Sequence, residues 1–263
     1  MKLIKRALIL FVSAAVLAAG FYLLYMRPRH VVPILMYHAV SDKGSGSLYV
    51  SPENFSRQMA YLEKSGYKVI SLDELVSGIR EGRPVDRNSV VITFDDGHED
   101  NFTNAFPVLA KYGFPATVFL ITGYMGERKG YLNWDQVLLM QQSGIAFGAH
   151  TRNDIYLPAI SGDPEKLWRE VRGSGDDIHD MTGKPPLYFC YPIGGFNDKV
   201  KNAVKKAGYK GACTTNRGSD RFNRDVYELT RVKVTNSDTT KPLHFRAKLS
   251  GYYNLFRSMK SPE

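Results

Sequence analysis

The stretch Ser89-Val-Val-Ile-Thr-Phe-Asp-Asp-Gly97 decides how the chain folds. Its first six residues lack the apolar/polar alternation of a half-exposed strand, so they predict a strand covered on both faces, as in a parallel sheet. Two adjacent carboxylates, Asp95 and Asp96, emerge at its C-terminal end, and Gly97 turns the chain there. Upstream, VVPILMY (31–37) is a second buried strand, ending on His38, and SDKGSGS (41–47) is a loop. PENFSRQMAYLEKSG is a helix capped by Ser51, with Pro52 at its first position and Gly66 closing it. YKVIS (67–71) and LDELVSGIREG (72–82) follow as strand and helix. Downstream, helices at 101–111, 134–143, 164–181 and 197–207 alternate with strands ATVFLIT (116–122), IAFGAH (145–150), LYFCYP (187–192), GACTT (211–215) and LTRVKV (229–234). A helical tail starts at His244. This alternation, with no linker or repeat, predicts one α/β domain: a distorted (β/α) barrel of about seven parallel strands, with its chemistry at the strand C-terminal ends.

Residues 7–26 (ALILFVSAAVLAAGFYLLYM) form an unbroken apolar run. At about 1.5 Å per residue it crosses a hydrocarbon core of roughly 30 Å, so it predicts one N-terminal transmembrane helix. Lys2, Lys5 and Arg6 precede it while Arg27 and Arg29 follow, and the positive-inside rule favours a cytoplasmic N-terminus and a body that is periplasmic or on the cell surface. A cleaved signal peptide is the rival reading. Its apolar region usually spans only ~7–15 residues, and the one small-residue cleavage candidate here, around Ala18 and Ala19, lies inside the run. The chain thus divides into an anchor and basic juncture, 1–30, and a single folded domain, 31–263.

The net charge of +9 at pH 7 suggests an anionic partner, but five Lys or Arg and no acid lie in residues 1–30, leaving +4 for the rest. A nucleic-acid partner is therefore not expected. Cys190 and Cys213 are too few for a disulfide scaffold and read as buried thiols, with a disulfide between them left open for an oxidising compartment.

The expected strand ends carry His38, Asp95, Asp96, His150 and Tyr191. Asp96-Gly97 alone reads equally well as a plain turn. Two carboxylates at one strand end can also divide labour, one binding a cation and the other acting as a base. Asp154 stands four residues after His150, and one helical turn there would bring both to a single ion. The spacing is weak by itself; the convergence of these groups is what points to a site.

With these motifs the chain resembles the polysaccharide deacetylase, or NodB-homology, family, also called carbohydrate esterase family four, from about Val32 to the C-terminus. Thr93-Phe94-Asp95-Asp96-Gly97 matches the family's T-F-D-D-G motif, which implies Asp95 as catalytic base and Asp96 as metal ligand. His150-Thr151 matches the start of H-[ST]-x-x-H, with Asp154 in place of the second histidine. Leu187-Tyr188-Phe189-Cys190-Tyr191-Pro192-Ile193-Gly194 echoes R-x-F-x-x-P-Y-G, with Leu187 for the arginine and Ile193 for the tyrosine. VPILMYHAVSD, FPATVFL, LNWDQV and FRAKLSGYYNLF look like the branch of exported poly-N-acetylglucosamine deacetylases.

The resemblance implies hydrolysis of N-acetyl groups on GlcNAc-type units of an exopolysaccharide, peptidoglycan or surface glycan. It implies a divalent ion, zinc foremost with Co²⁺, Ni²⁺ or Mn²⁺ as alternatives, held by Asp96, His150 and Asp154. Such an ion lowers the pKa of water toward ~7 and polarises the acetyl carbonyl. The loop Tyr191, Pro192, Ile193 and Gly194 would border substrate and oxyanion, with the Ile193 N–H as donor. The leaving amine needs a proton, for which His38, His244 in Pro-Leu-His-Phe, and reprotonated Asp95 stay open. A third ligand that is Asp rather than His makes a harder, more anionic set, from which slower turnover or a higher pH optimum is expected. Polysaccharide synthesis or export proteins are implied partners. Rival functions are an O-acetyl esterase and a membrane-tethered glycan-binding module.

Overall fold

The computed structural model describes residues 2–44 and 46–263; Met1 and Ser45, the latter within the expected 41–47 loop, lie outside the described residues. The sheet is built from β1 (Ile34–Tyr37), β2 (Lys68–Val69), β3 (Ser89–Phe94), β4 (Thr117–Leu120), β5 (Ala146–Ala149), β6 (Tyr188–Cys190), β7 (Gly211–Cys213) and β8 (Val232–Lys233). Seven strands run in the order β8-β1-β3-β4-β5-β6-β7, β2 pairs separately with β3, and every pairing is parallel. β1 and β3 are buried at every position, as their unalternating apolar runs predict.

The barrel is half open rather than closed. No ladder joins β7 to β8 among the described residues; the seam is stitched by single bonds from Thr214 N–H to Leu229 O (2.8 Å) and Arg231 N–H to Thr215 O (2.8 Å). This corrects the reading of 229–234 as one strand: Leu229 and Arg231 bond across the seam, and only Val232–Lys233 joins β1.

The helices begin at side-chain caps, of which Ser51 is the expected one. Ser51 accepts from Asn54 N–H at the start of Pro52–Lys64, and Ser71 and Gly82 bracket Leu72–Glu81. Trp134–Gln142 opens on an Asn133/Gln136 capping box, and Asp163 and Asn197 cap Pro164–Thr182 and Asp198–Lys206. The 101–111 segment is not one helix. A wide turn, Asn101–Ala105, precedes the helix Phe106–Tyr112, because Pro107 has no N–H to continue a regular ladder backward.

The apolar N-terminal helix spans Ile4–Arg29, long and apolar enough to cross a membrane, and its apolar stretch is not buried against the protein. Arg87 ties its end to the domain, donating to Arg27 O (2.7 Å) and the Tyr22 hydroxyl (2.9 Å). It thus joins the domain at the N-terminal end of β1, whereas His38 and the carboxylates lie at the opposite, C-terminal rim.

Candidate active site

Three loops at that rim carry the site, and between them they hold four non-glycine residues at positive φ: Asp96 (73°), Thr151 (65°) and Asp154 (54°) on one loop, and Ile193 (57°). Only Asn223 shares this feature among the described residues. Left-handed backbone is costly for such residues, and its concentration at one rim marks a site built at the expense of local strain. The helical turn expected from His150 to Asp154 is therefore a correction: the segment is a left-handed turn. The long helix Pro164–Thr182 clamps it. Glu170 accepts from the N–H groups of Arg152 (3.0 Å) and Asn153 (3.1 Å), and Asp177 accepts from Arg152 Nε (2.8 Å).

Asp95 is fully buried and gripped by a residue that sequence reasoning passed over. Arg231, preceding β8, donates through Nη1 to Oδ1 (2.6 Å) and Nη2 to Oδ2 (2.7 Å), while its Nε donates to Thr214 O (2.9 Å). Thr93 fixes the fork further, accepting from Arg231 Nη1 (3.1 Å) and donating to Leu35 O (2.8 Å). Burial by itself would push the Asp95 carboxyl up; the guanidinium, helped by His38 and His150, more than offsets this and holds it below its ordinary value. The guanidinium thus arrives from residue 231, not from residue 187, where the family motif has an arginine and this chain has Leu187.

His38 Nε2 stands 3.8 Å from Asp95 Oδ2. Asn101 holds its main chain, donating from Nδ2 to His38 O (2.9 Å). Burial, with Arg231 and His150 adding to it, draws the imidazole's pKa down against the pull of Asp95 and Asp96, which favours the neutral ring. His38→Gln is expected to lower kcat about 10²-fold or more with bound metal unchanged, the scale of a lost proton-transfer group; steady-state kinetics with elemental analysis checks this.

Asp96, His150 and Asp154 offer ligand atoms that all lie within 4.8 Å of one another. The His150 ring is set for coordination: its Nδ1 bonds Cys190 O (2.8 Å), which leaves Nε2 facing Asp96 Oδ1 at 3.4 Å. Burial raises the Asp154 carboxyl, with repulsion from Asp96 and Asp95 adding to it against the pull of His150. Two carboxylates converging on one imidazole are short of positive charge, and a divalent ion fits that set. A second grouping, Asp95, His150 and Cys190, fits less well. Both Asp95 oxygens are committed to Arg231, and burial pushes the Cys190 thiol up, away from the thiolate a metal needs.

His98, also unanticipated, lies on the other side of Asp96, its Nε2 3.3 Å from Oδ2 and its ring against Tyr131. It was visible only as the residue after Gly97. Two expected residues are placed elsewhere. His244 does not line the cleft: its Nδ1 pairs with buried Asp238 (2.8 Å) at the helix Pro242–Leu249, which removes it as proton donor. Tyr191 sits at the base of the cleft, but its hydroxyl donates to Tyr227 O (3.1 Å) and its ring stacks on Phe196, so it is a pillar rather than a polar substrate contact. Pro192 and Gly194 are buried and shape the loop, while Ile193 projects into the cleft, largely exposed. Any Cβ at Gly194 would press within 2.7 Å of Thr215 N. Cys190 and Cys213 are register partners on β6 and β7, buried and unbridged.

The cleft over these groups has a volume of about 450 Å³. The sequence profile of the family described as polysaccharide deacetylase matches residues 82–212. The Bacillus subtilis protein YxkH is 33% identical over 204 residues, covering 78% of this chain and 71% of its own length. The chain belongs to the polysaccharide deacetylase family. A Staphylococcus aureus poly-beta-1,6-N-acetyl-D-glucosamine N-deacetylase is 27% identical over 222 residues, covering 80% of this chain and 76% of its own. Among solved structures, the Streptococcus pyogenes deacetylase PplD in complex with acetate superposes with a TM-score of 0.74 at 28% identity, covering 81% of this chain and 96% of its own. In this polysaccharide deacetylase Asp95, Asp96, His150 and Asp154 fall inside the matched residues, whereas His38 and Arg231 lie outside them.

Proposed function

We propose that the chain is a metal-dependent N-deacetylase acting on GlcNAc-type units of an extracytoplasmic polysaccharide, tethered by its N-terminal helix. The observation that carries this is the juxtaposition, in one cleft, of an Arg231-held carboxylate with the Asp96, His150 and Asp154 cluster. The S. aureus relative's name supplies the substrate class by likeness. The cleft opens at the rim opposite the apolar helix, which suits a polymer reaching the domain from the side away from the membrane.

Asp96, His150 and Asp154 would hold the ion, whose contribution is to polarise the acetyl carbonyl and acidify water. Asp95 takes the proton of the attacking water. Arg231 keeps that carboxylate anionic between turnovers and its conjugate acid strong, so the proton is readily passed on. His38, beside Asp95 Oδ2 and favoured in its neutral form by burial, relays it to the leaving amine. The Ile193 N–H is the chain's donor to the tetrahedral oxyanion.

The test is acetate release from N-acetylglucosamine oligomers alongside O-acetylated, N-unsubstituted ones. Release from the N-acetyl set is expected; release confined to the O-acetyl set would make the chain an esterase, and none from either would leave a binding module. The ligand set is tested separately by calorimetric metal titration. Asp154→Ala is expected to weaken zinc binding at least ~10-fold, the scale of losing a metal-site interaction, whereas Asp154→His should bind as well as the parent or better. Unchanged affinity in Asp154→Ala would remove Asp154 from the ligand set.

A further inference from the structure

The rest of the cleft's charged lining is basic: Arg217, Arg231, Lys233, Arg257 and Lys260. Arg231 is committed to Asp95, and Arg217 donates to the oxygens of Ile193, Ser261 and Glu263. Lys233, Arg257 and Lys260 are left. Every ion pair among the described residues is made by other side chains. Among the described residues Lys233 Nζ reaches only the Ser47 hydroxyl (3.1 Å), and Lys260 is exposed. Arg257 gives Nη1 to Arg231 O (2.7 Å), but its Nε and Nη2 are buried with no partner.

Charge balance makes this unusual. Asp95 is matched by Arg231, and a divalent ion would match Asp96 and Asp154, so three cations remain uncompensated in one cleft. The Arg257 guanidinium, 5.8 Å from the Tyr253 ring centroid, brings its charge to the cleft wall rather than a free donor, while Lys233 and Lys260 bring theirs on mobile side chains. A neutral sugar polymer would use none of these charges. We propose that Lys233, Arg257 and Lys260 form a subsite for an anionic group, a carboxylate or phosphate, carried by the glycan beside the N-acetyl unit being cleaved. The substrate is then an acidic N-acetylated glycan rather than a neutral N-acetylglucosamine homopolymer. The same field repels the ammonium group created by deacetylation and so favours product release. The inference rests on the deacetylase function proposed above.

The test compares kcat/KM for acetate release by the full-length, metal-loaded chain on three matched oligomer sets: neutral N-acetylglucosamine, the same backbone with lactyl carboxylates, and the same backbone with phosphodiester substituents. At least one anionic set is expected to be preferred by about tenfold or more at low salt, with the preference shrinking as salt rises. The carboxylate and phosphate arms tell the two sources apart. Lys233→Gln, Arg257→Gln and Lys260→Gln should each bring the preference toward one, chiefly through KM, and Arg257→Lys should keep part of it. Lys260 is exposed, so its variant tests the idea even if burial makes Arg257→Gln unstable; thermal melting verifies folding of each. The proposal is overturned if the parent turns over neutral oligomers as well as both anionic sets, or if the preference survives in all three glutamine variants. Acetate from none of the sets would overturn the deacetylase function itself.

Discussion

Asp95→Asn is expected to lower turnover by about two to four orders of magnitude while leaving bound metal unchanged, the usual scale for losing a general base. The substitution keeps volume and one acceptor oxygen for Arg231 but turns an amide N–H toward its second donor, so thermal melting accompanies the kinetics; the amide takes no proton from water. Asp96→Ala and His150→Ala should lose metal and activity together, because their donor atoms converge with that of Asp154. Elemental analysis and single-turnover acetate release on the same preparations separate the two patterns. Metal loss in Asp95→Asn would move Asp95 into the ligand set and make Cys190 its partner there.

Arg231→Leu should destabilise the fold by about 3–5 kcal/mol, the range for breaking a buried ion pair by removing one partner. It strands the Asp95 carboxylate in the core and removes donors from Thr93 and Thr214 O. It also opens the seam between β7 and β8 from the inside, since the guanidinium spans it. The sign of the pH dependence follows from the depressed Asp95 pKa. The pair's contribution is fully present above the ordinary carboxylate pKa of about 3.9 and fades as pH falls through the lower folded value. Denaturant unfolding at neutral pH therefore reads the whole effect. Arg231→Leu combined with Asp95→Leu should recover much of the loss, because no unpaired charge remains; strict additivity of the two single changes would contradict the pairing.

The strand at 89–94 and its two terminal carboxylates were legible because burial on both faces is written locally, as an apolar run without alternation. The same holds for His38 and His150, each at the end of such a run. Arg231 was harder to see. Its contact with Asp95 joins residues far apart in sequence, and LTRVKV matches a strand pattern with the arginine in it. The available signal was the arginine itself, since a guanidinium in an apolar strand is seldom buried unless paired. His98 had only a neighbourly cue: Asp96-Gly97 signals a turn, but which ring that left-handed turn brings against Asp96 is decided by the folded loop. His244 misled because a histidine at a helix start looks available, whereas the short preceding helix Ser237–Thr240 presents buried Asp238, six residues upstream, to its ring. The His150 to Asp154 turn defeated helical spacing for a similar reason: Glu170 and Asp177, on a distant helix, bond its backbone and side chain into another shape.

The most direct measurement is a titration of the metal-stripped chain with zinc, following ion bound per chain and acetate released from N-acetylated oligomers in the same samples. Activity should be absent without the ion, rise in step with binding and saturate at one equivalent. Full activity in the stripped chain, or binding that saturates while acetate release stays at the background, would contradict a metal-dependent deacetylase built on Asp96, His150 and Asp154.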